Sequence, residues 1–331
     1  MSESTAYVDT GGVSAETRTD SALTVTAKEV VSQGVVALTL THPDGRRLPD
    51  WAPGAHIDLI LPTGVTRQYS LCGDRWDPRS YRIGVLREPA GRGGSAFVHD
   101  VLAVGDSVGV GGPRNNFPMV PAPRYLFVAG GIGITPLIPM IAQAELMGIE
   151  WTLLYGGRTR TSMGFLDELS FYGDRVVLAP QDEVGLLDLP TWLGAAAADD
   201  TKVYVCGPEP LLDAVETGCS GWLVGKLRME RFVPKRQSAP VRTVPFELEL
   251  ARSGLVVTVT PDGSVLDAVQ KAGVTVLSSC REGTCGTCET TVLAGQPDHR
   301  DSILDDSERD NADCMFICVS RSCSDRLVLD L

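Results

Sequence analysis

The chain has 331 residues, which at about 100 to 200 residues per domain predicts two or three domains. Its 42 Asp and Glu against 29 Lys and Arg give a net charge of -13, which disfavours nucleic acid and anionic membranes as partners and favours an electropositive protein surface. With 43% hydrophobic and 21% charged residues, the composition excludes disordered, collagen-like and membrane-embedded classes.

The first residues show no targeting segment. Residues 1–20 are rich in Ser, Thr and Gly and lack the apolar core of a signal peptide, so we predict a disordered tail. Later, 20 uncharged residues lie between Arg124 and Glu145, but three glycines and two prolines among them fit a strand, a tight loop and a helix start better than a membrane span. We expect a cytoplasmic, reduced protein that is a monomer and has no membrane segment.

The first third of the chain is rich in short β-type runs separated by turn residues. Such spacing predicts an antiparallel barrel or sandwich up to residue 119. The predicted strands are 23–26, 35–41, 56–61, 67–71, 81–86 and 107–110, with one helix at 95–102.

From residue 124 to residue 232 apolar strands alternate with helices, a rhythm that predicts a parallel sheet covered on both faces. The predicted strands are 125–129, 151–155, 175–178, 202–206 and 229–232, with helices from residue 136 and at 164–169 and 210–217. A proline-containing linker follows. After it come paired strands at 246–250 and 256–260 and a helix that begins at Ser264 and ends at Gly273.

Six of the nine cysteines lie in the last 52 residues, and a local thiol cluster of this kind suggests a metal site rather than a disulfide framework. Cys280, Cys285 and Cys288 form C-x4-C-x2-C, the plant-type 2Fe-2S spacing. Gly283 and Gly286 let the loop fold tightly and point amide groups at sulfur. Zinc is the alternative, although only one C-x2-C pair is present.

Three cysteines compete for the fourth ligand position. Cys318 follows Cys288 after 29 residues and lies in the apolar, strand-like run 315–319, so we choose it. Chemistry alone excludes neither Cys314 nor Cys323.

Together with this cysteine motif, the chain from about residue 20 resembles the phthalate dioxygenase reductase family. That family includes vanillate demethylase reductases and belongs to the ferredoxin-NADP reductase superfamily. The resemblance implies a multidomain protein. It would consist of an antiparallel β-barrel flavin domain at 21–119, an α/β parallel-sheet nucleotide domain at 120–232, a linker at 233–243 and an α+β β-grasp plant-type ferredoxin domain at 244–331.

The residues Arg67, Gln68, Tyr69 and Ser70, followed by Leu71, match the flavin motif R-x-Y-S of that family. A guanidinium suits a phosphate, a phenol ring can stack on the flavin, and a hydroxyl can bond flavin N5. A surface charge and a packing residue would look the same in sequence.

A glycine-rich loop precedes the predicted helix at 95–102, and its Gly93, Gly94 and Ser95 would form an anion site at the helix start, with Ser95 as N-cap. A flexible turn is the alternative. The resemblance assigns this loop to the flavin phosphate and implies FMN, and no residue excludes FAD.

Residues 125–136 read as a strand, a glycine turn and a helix start. Gly131 and Gly133 allow a pyrophosphate to approach, while Thr135 is predicted as N-cap and Pro136 as the first helical residue. The resemblance places a later segment, Cys206, Gly207 and Pro208, beside the nicotinamide.

Two further residues bear on the nucleotide. Arg158 follows the second strand, near the expected adenosine ribose, and on physical grounds an arginine there favours NADPH. The resemblance favours NADH, which we adopt. It also puts Phe232 over the flavin face, whereas spacing alone fits a core phenylalanine equally well.

The resemblance implies an enzyme that passes electrons from NADH through FMN and the 2Fe-2S cluster to a terminal oxygenase, most simply of the Rieske type. Ser70, Cys206 and Phe232 are the predicted catalytic residues. A cytochrome P450 acceptor and a redox sensor without turnover are the alternatives. A group of acidic residues near the C-terminus could steer docking to a basic oxygenase or form a solvated loop. This acidic set comprises Asp305, Asp306, Glu308, Asp310 and Asp313.

Overall fold

The computed structural model describes residues 21–223, 225–237, 239–311 and 313–331, with only the backbone of Asp306 and Ser307. The predicted tail at 1–20 lies outside the described residues. The strands form three main sheets and one two-stranded ribbon. None of the helices in the described ranges combines the length and hydropathy needed to cross a membrane.

The first sheet has six antiparallel strands in the order β4-β3-β6-β1-β2-β5. A bridge between Leu71 and Ile83 links the end of β4 to β5 and so closes the sheet around its apolar core, as predicted for a barrel. Its elements are β1 (Ser21–Ser32), β2 (Val35–Thr41), β3 (His56–Ile60), β4 (Thr66–Ser70), β5 (Ser80–Leu86), α1 (Gly94–Asp100) and β6 (Ser107–Arg114).

The second sheet has five parallel strands in the order β11-β10-β7-β8-β9, with an apolar cluster on each face. Because β8 and β10 lie on opposite sides of β7, the loops after β7 and β10 diverge and leave a crevice, where open α/β sheets bind ligands. The elements are β7 (Arg124–Gly130), α2 (Leu137–Leu146), β8 (Glu150–Gly157), α3 (Leu166–Leu169), β9 (Val176–Pro180), α4 (Gln181–Val184), α5 (Leu189–Ala197), β10 (Thr201–Cys206), α6 (Glu209–Gly218) and β11 (Leu227–Glu230).

The third sheet is mixed, in the order β13-β12-β18-β14-β16, with β12 and β18 parallel. Ser264 caps α7 as predicted, since its hydroxyl accepts from Asp267 N at 3.0 Å. The elements are β12 (Phe246–Leu250), β13 (Leu255–Val259), α7 (Val265–Lys271), β14 (Glu289–Ala294), β15 (Pro297–Asp298), α8 (Asp306–Asn311), β16 (Cys314–Phe316), β17 (Arg321–Ser322) and β18 (Arg326–Leu329). The described residues between β11 and β12 form neither helix nor strand.

Candidate functional site

The loop between α7 and β14 carries three of the predicted cluster cysteines, and the turn after β16 carries the fourth. The thiol of Cys280 is within hydrogen-bonding reach of those of Cys285 and Cys318, and the thiol of Cys288 is within reach of Cys318. Cys318 lies in a turn beyond the end of β16, so its predicted placement in a strand was wrong. The turn is what points its sulfur back at the loop.

The two competing cysteines lie elsewhere. The thiol of Cys323 points to the Pro297 carbonyl at 3.6 Å. The thiol of Cys314, at the start of β16, is surrounded by carboxylates, and burial raises its pKa to about 11. Both are therefore neutral thiols outside the four-sulfur group.

The donor set fits a two-iron centre. Hydrogen bonds from Cys285 and Cys318 hold the pKa of Cys280 well below its usual range, and a bond from Cys318 lowers the pKa of Cys288. Four thiols linked in one chain of contacts, Cys285 to Cys280 to Cys318 to Cys288, would suit a 2Fe-2S cluster, which four thiolates bind.

Two glycines give this loop its shape. A Cβ on Gly283, where φ is +72°, would lie 2.6 Å from a methyl of Val319, and a Cβ on Gly286, where φ is +75°, would lie 2.6 Å from the Asn116 amide. Neither position accepts a side chain. The resulting turn lets Glu282 N donate to the Cys280 sulfur at 3.3 Å, which stabilises negative charge there.

The predicted flavin motif forms strand β4. Arg67 is half-buried and donates to the carbonyls of Thr66 at 2.7 Å and Arg92 at 3.4 Å, and a Cβ on Gly94 would lie 3.0 Å from its Cγ. The fold therefore brings the arginine and the glycine loop together. Burial raises the pKa of Tyr69 to about 12, so the phenol stays neutral. Leu71 is fully buried in the barrel core, which leaves only its backbone available to a ligand.

The predicted cap at Ser95 was wrong. Helix α1 begins at Gly94, and Gly93 is the N-cap residue with φ of +82° and no side-chain cap bond. The N-cap lies two residues before the predicted one, because glycine carries no Cβ and accepts the left-handed conformation that turns the chain into the helix. The Ser95 hydroxyl instead accepts from Glu88 N at 3.0 Å and so fixes the loop between β5 and α1.

The predicted cap at Thr135 was wrong for a related reason. A 3₁₀ turn at Gly131–Ile134 already follows β7, and α2 starts at Leu137 with Pro136 as its N-cap residue, not its first helical residue. Since Thr135 has helical backbone angles, its hydroxyl bonds back to the Ile132 carbonyl at 3.0 Å. The Thr135 hydroxyl is therefore used within the 3₁₀ turn and does not cap α2.

The segment Cys206, Gly207 and Pro208 lies directly against this glycine turn. A Cβ on Gly133 would lie 2.2 Å from the Cys206 carbonyl oxygen, so the two loops touch through backbone. Cys206 is fully buried, and burial together with the Glu230 carboxyl raises the pKa of its thiol well above the usual value. A thiol in this setting is neutral and unreactive as a nucleophile.

Sequence reasoning missed Glu230, the last residue of β11 and the register partner of Cys206. Burial raises the pKa of Glu230 to about 8, while the nearby Ser70 hydroxyl acts in the opposite direction. Neither Ser70 Oγ nor Glu230 Oε2 has a hydrogen-bond partner among the described residues, although both are buried. Two buried polar atoms in this state indicate a place where a ligand supplies the partner. An acidic residue at the end of the strand beside Cys206 was the available sequence signal.

Phe232 lies outside β11, which ends at Glu230, so the predicted strand 229–232 was placed two residues too late. The segment is anchored by Arg231, a buried residue that pairs with Glu216 at 2.9 Å and Asp213 at 3.4 Å. The Phe232 side chain itself is 42% exposed, which excludes the reading as a core phenylalanine.

Arg158 is exposed just past β8 and makes no ion pair with any described residue. Its neighbour Arg160 pairs with Glu183 at 2.7 Å. Of the two arginines near the end of this strand, Arg158 is therefore the one available to a nucleotide.

Comparison with known proteins identifies the family. Residues 248–323 match the family model of the 2Fe-2S iron-sulfur cluster binding domain. The chain is 46% identical over 299 residues to the phenoxybenzoate dioxygenase subunit beta of Ectopseudomonas oleovorans, covering 90% of this chain and 93% of the relative. A solved structure of phthalate dioxygenase reductase matches with a TM-score of 0.67 at 35% identity, covering 94% of this chain and 97% of that one.

The chain belongs to the phthalate dioxygenase reductase family. This reductase is therefore a flavin and iron-sulfur oxidoreductase that carries electrons from a pyridine nucleotide through the flavin to a 2Fe-2S cluster in an oxygenase system. The predicted flavin, nucleotide and cluster cofactors are confirmed.

A second solved structure extends the comparison. An intact type IV self-sufficient cytochrome P450 monooxygenase matches the reductase with a TM-score of 0.88 at 42% identity over 94% of this chain. The reductase spans only 41% of the length of that protein.

Proposed function

We propose that this reductase uses NADH and FMN and delivers single electrons from its cluster to a separate Rieske-type terminal oxygenase. The observation that carries this proposal lies on β4. Gln68 bonds Ser279 of the cluster loop at 2.8 Å, and Ser70, two residues on and on the same face, lies beside Glu230 of the nucleotide sheet. A flavin held along β4 would therefore have a nucleotide on one side and the cluster on the other.

The residues at hand suit these ligands. Arg67 with Gly93, Gly94 and Ser95 would hold the single phosphate of FMN, and Tyr69 would stack on its ring. Ser70 would donate to flavin N5. The four thiols of Cys280, Cys285, Cys288 and Cys318 would bind the cluster.

The nucleotide would lie in the crevice left by the loops after β7 and β10. Gly131 and Gly133, with the helical turn of Thr135 and Pro136, would receive the pyrophosphate, and Arg158 would contact the ribose end. Cys206, Gly207 and Pro208 would flank the nicotinamide, and the exposed Phe232 ring would cover the flavin face until the nicotinamide displaces it.

When bound, the flavin accepts a hydride and releases electrons one at a time. The protein's part is orientation. Neutral Glu230 and Ser70, whose Oε2 and Oγ atoms are buried, would offer hydrogen bonds where the nicotinamide and flavin rings meet. The neutral Cys206 thiol adds bulk without charge at the same place.

Two partner types have support. The phenoxybenzoate dioxygenase subunit aligns along 93% of its own length, which favours a separate reductase serving a ring-oxidising oxygenase. The high TM-score of the P450 monooxygenase supports a P450 acceptor as the second candidate.

Two members of the acidic set expected to steer docking already make contacts within the protein. Asp305 and Glu308 cap α8 reciprocally, with N–H to carboxylate distances of 2.9 Å in both directions. Glu308 also approaches Arg228 at 3.8 Å. Asp310 and Asp313 are thus the better candidates for contact with a basic partner.

A partner assay decides between the candidates. The NADH-reduced protein is mixed anaerobically with an oxidised Rieske dioxygenase or, separately, with an oxidised P450 under carbon monoxide. We expect rapid bleaching of the Rieske centre and slow formation of the P450 carbonyl complex. The reverse order favours the P450 acceptor, and a holo-protein that reduces neither these proteins nor cytochrome c would contradict the reductase reading.

A further inference from the structure

Three polar side chains from the barrel and the cluster loop form a closed hydrogen-bonded ring. Gln68 Nε2 donates to Asp58 Oδ1 at 2.6 Å and to Ser279 Oγ at 2.8 Å, and the Ser279 hydroxyl donates to Asp58 Oδ1 at 3.0 Å. Both amide hydrogens of Gln68 and the one hydroxyl hydrogen of Ser279 are used. Ser279 directly precedes Cys280, so the ring lies next to a proposed cluster ligand in the chain.

The second oxygen of Asp58 reaches the other end of the loop through Arg114. Arg114 Nη2 lies 2.8 Å from Asp58 Oδ2, and Arg114 Nε donates to the Cys285 carbonyl at 3.4 Å. His56 Nε2 lies 3.2 Å from the same carbonyl and must donate to it, since a carbonyl only accepts. Burial, with Arg114 adding to it, lowers the pKa of His56 to about 4, so the ring is neutral.

The strand register explains why these groups meet. Asp58 pairs with Gln68 across β3 and β4, and His56 pairs with both Ser70 and Arg114. Residues two apart on a strand share a face, so His56 and Asp58 point to the same side as Gln68 and Ser70. That face therefore meets the cluster loop, and it is the face that carries the proposed hydride-transfer serine.

We propose that Asp58 is the positioning residue for electron transfer from flavin to cluster. Its two oxygens fix Ser279 and Arg114, and through them the backbone at Cys280 and Cys285, against the strand that holds the flavin. Asp58 is 1% exposed, so its hydrogen bonds from Gln68 and Ser279 and its ion-pair contact with Arg114 are shielded from water. This inference rests on the proposed function, because it assumes the flavin along β4 and the cluster on these cysteines.

Asp58 differs from an ordinary packing residue in where its contacts lead. A packing residue would support the barrel, and its loss would affect every step. The bonds of Asp58 converge instead on the junction between the two cofactor-binding regions, while the nucleotide crevice lies beyond Ser70. Loss of the carboxylate should therefore misplace the cluster loop relative to the flavin and leave hydride transfer intact.

Asp58→Asn keeps the shape and removes the charge, and the test is anaerobic stopped-flow reduction by NADH. We expect normal flavin and iron content, a flavin reduction rate within about twofold of the unaltered protein, and a transfer from flavin to cluster slowed about tenfold or more, since small misplacements of reacting groups carry large rate penalties. Dye titration gives the flavin and cluster potentials, and slowing that remains after correction for any change in driving force shows that the loss is one of position.

A second variant and a control complete the design. Ser279→Ala removes one hydroxyl and should slow the same step by a smaller factor. Asp298→Asn alters another buried carboxylate, which pairs with Arg300 at 3.5 Å and accepts from Val241 N at 3.1 Å, and it should leave both rates unchanged. If Asp58→Asn fails to assemble, Ser279→Ala decides alone.

Each outcome has one meaning. Slowing confined to the second step supports the inference. Transfer at the unaltered rate in both variants, or equal slowing of both steps, overturns it. If the unaltered protein itself reduces neither flavin nor cluster with NADH, the proposed function fails, and this result is distinct from unaffected variants in a working reductase.

Discussion

Gly133 in the turn after β7 and Cys206 at the end of β10 touch through backbone, since a Cβ on Gly133 would lie 2.2 Å from the Cys206 carbonyl oxygen. The contact joins the two loops at the point where the strand order of the parallel sheet diverges. It therefore sets the width of the crevice proposed for the nucleotide.

Gly133→Ala should force these loops apart. We expect a loss of about 1–3 kcal/mol in stability, as for other overpacked sites, and a raised KM for NADH. Thermal unfolding and steady-state kinetics measure the two effects. Gly194→Ala is the matched control, because Gly194 lies within α5 with nothing within 4 Å of its Cβ position, and alanine there should stabilise slightly. An unchanged KM in Gly133→Ala would remove this contact from the nucleotide site.

Ser70→Ala should slow reduction of the flavin by NADH while transfer from reduced flavin to cluster stays near normal. The hydroxyl is buried beside the Glu230 carboxyl, and that is the one internal contact its removal would affect. The loss of one hydrogen bond corresponds to about tenfold in rate. Stopped-flow absorbance separates the two steps in one experiment, and an unchanged rate of flavin reduction would exclude Ser70 from the site.

The raised pKa of Glu230 predicts that the stability of the protein depends on pH. Its pKa is raised from the usual 4.5 to about 8 in the folded protein, so between these values the unfolded chain ionises while the folded chain keeps its proton. This carboxyl therefore lowers stability progressively as the pH rises from about 4.5 to about 8. Melting temperatures measured across that range should fall less in Glu230→Gln than in the unaltered protein. Parallel curves for the two proteins would contradict the assigned pKa.

The cysteines give a direct test of the ligand set. Cys318→Ser should abolish the iron-sulfur absorbance, because its sulfur lies in the four-thiol group. Cys314→Ser and Cys323→Ser should retain it and serve as matched controls. A cluster retained in Cys318→Ser, or lost in either control, would show that the fourth ligand was wrongly chosen.

Features that depend on the local sequence pattern could be predicted from the sequence. Strands β2 and β12 were predicted with their observed bounds, and the cysteine spacing located the cluster loop. The helix caps at Ser95 and Thr135 were wrong because a left-handed glycine and a 3₁₀ turn redirected the chain, and single-residue backbone angles leave little trace in sequence. Helices α4, α5 and α8 were missed, and so were strands β14, β15, β17 and β18.

Glu230 and Asp58 show more clearly which features could not be predicted from the sequence. Each looks like an ordinary acidic residue in a strand. Their meaning comes from strand pairing and from contact between separate sheets, which place Glu230 beside Cys206 and Ser70, and Asp58 beside Ser279. Such tertiary relationships have no short-range sequence signature.

Electron flow from NADH through the flavin to the cluster is tested by anaerobic mixing of the oxidised holo-protein with NADH. Flavin and iron-sulfur absorbance are followed separately in time. We expect the flavin to bleach first and the cluster to follow in a slower phase that starts from the reduced flavin, with FMN recovered on extraction. A cluster that stays oxidised after the flavin is fully reduced would contradict it.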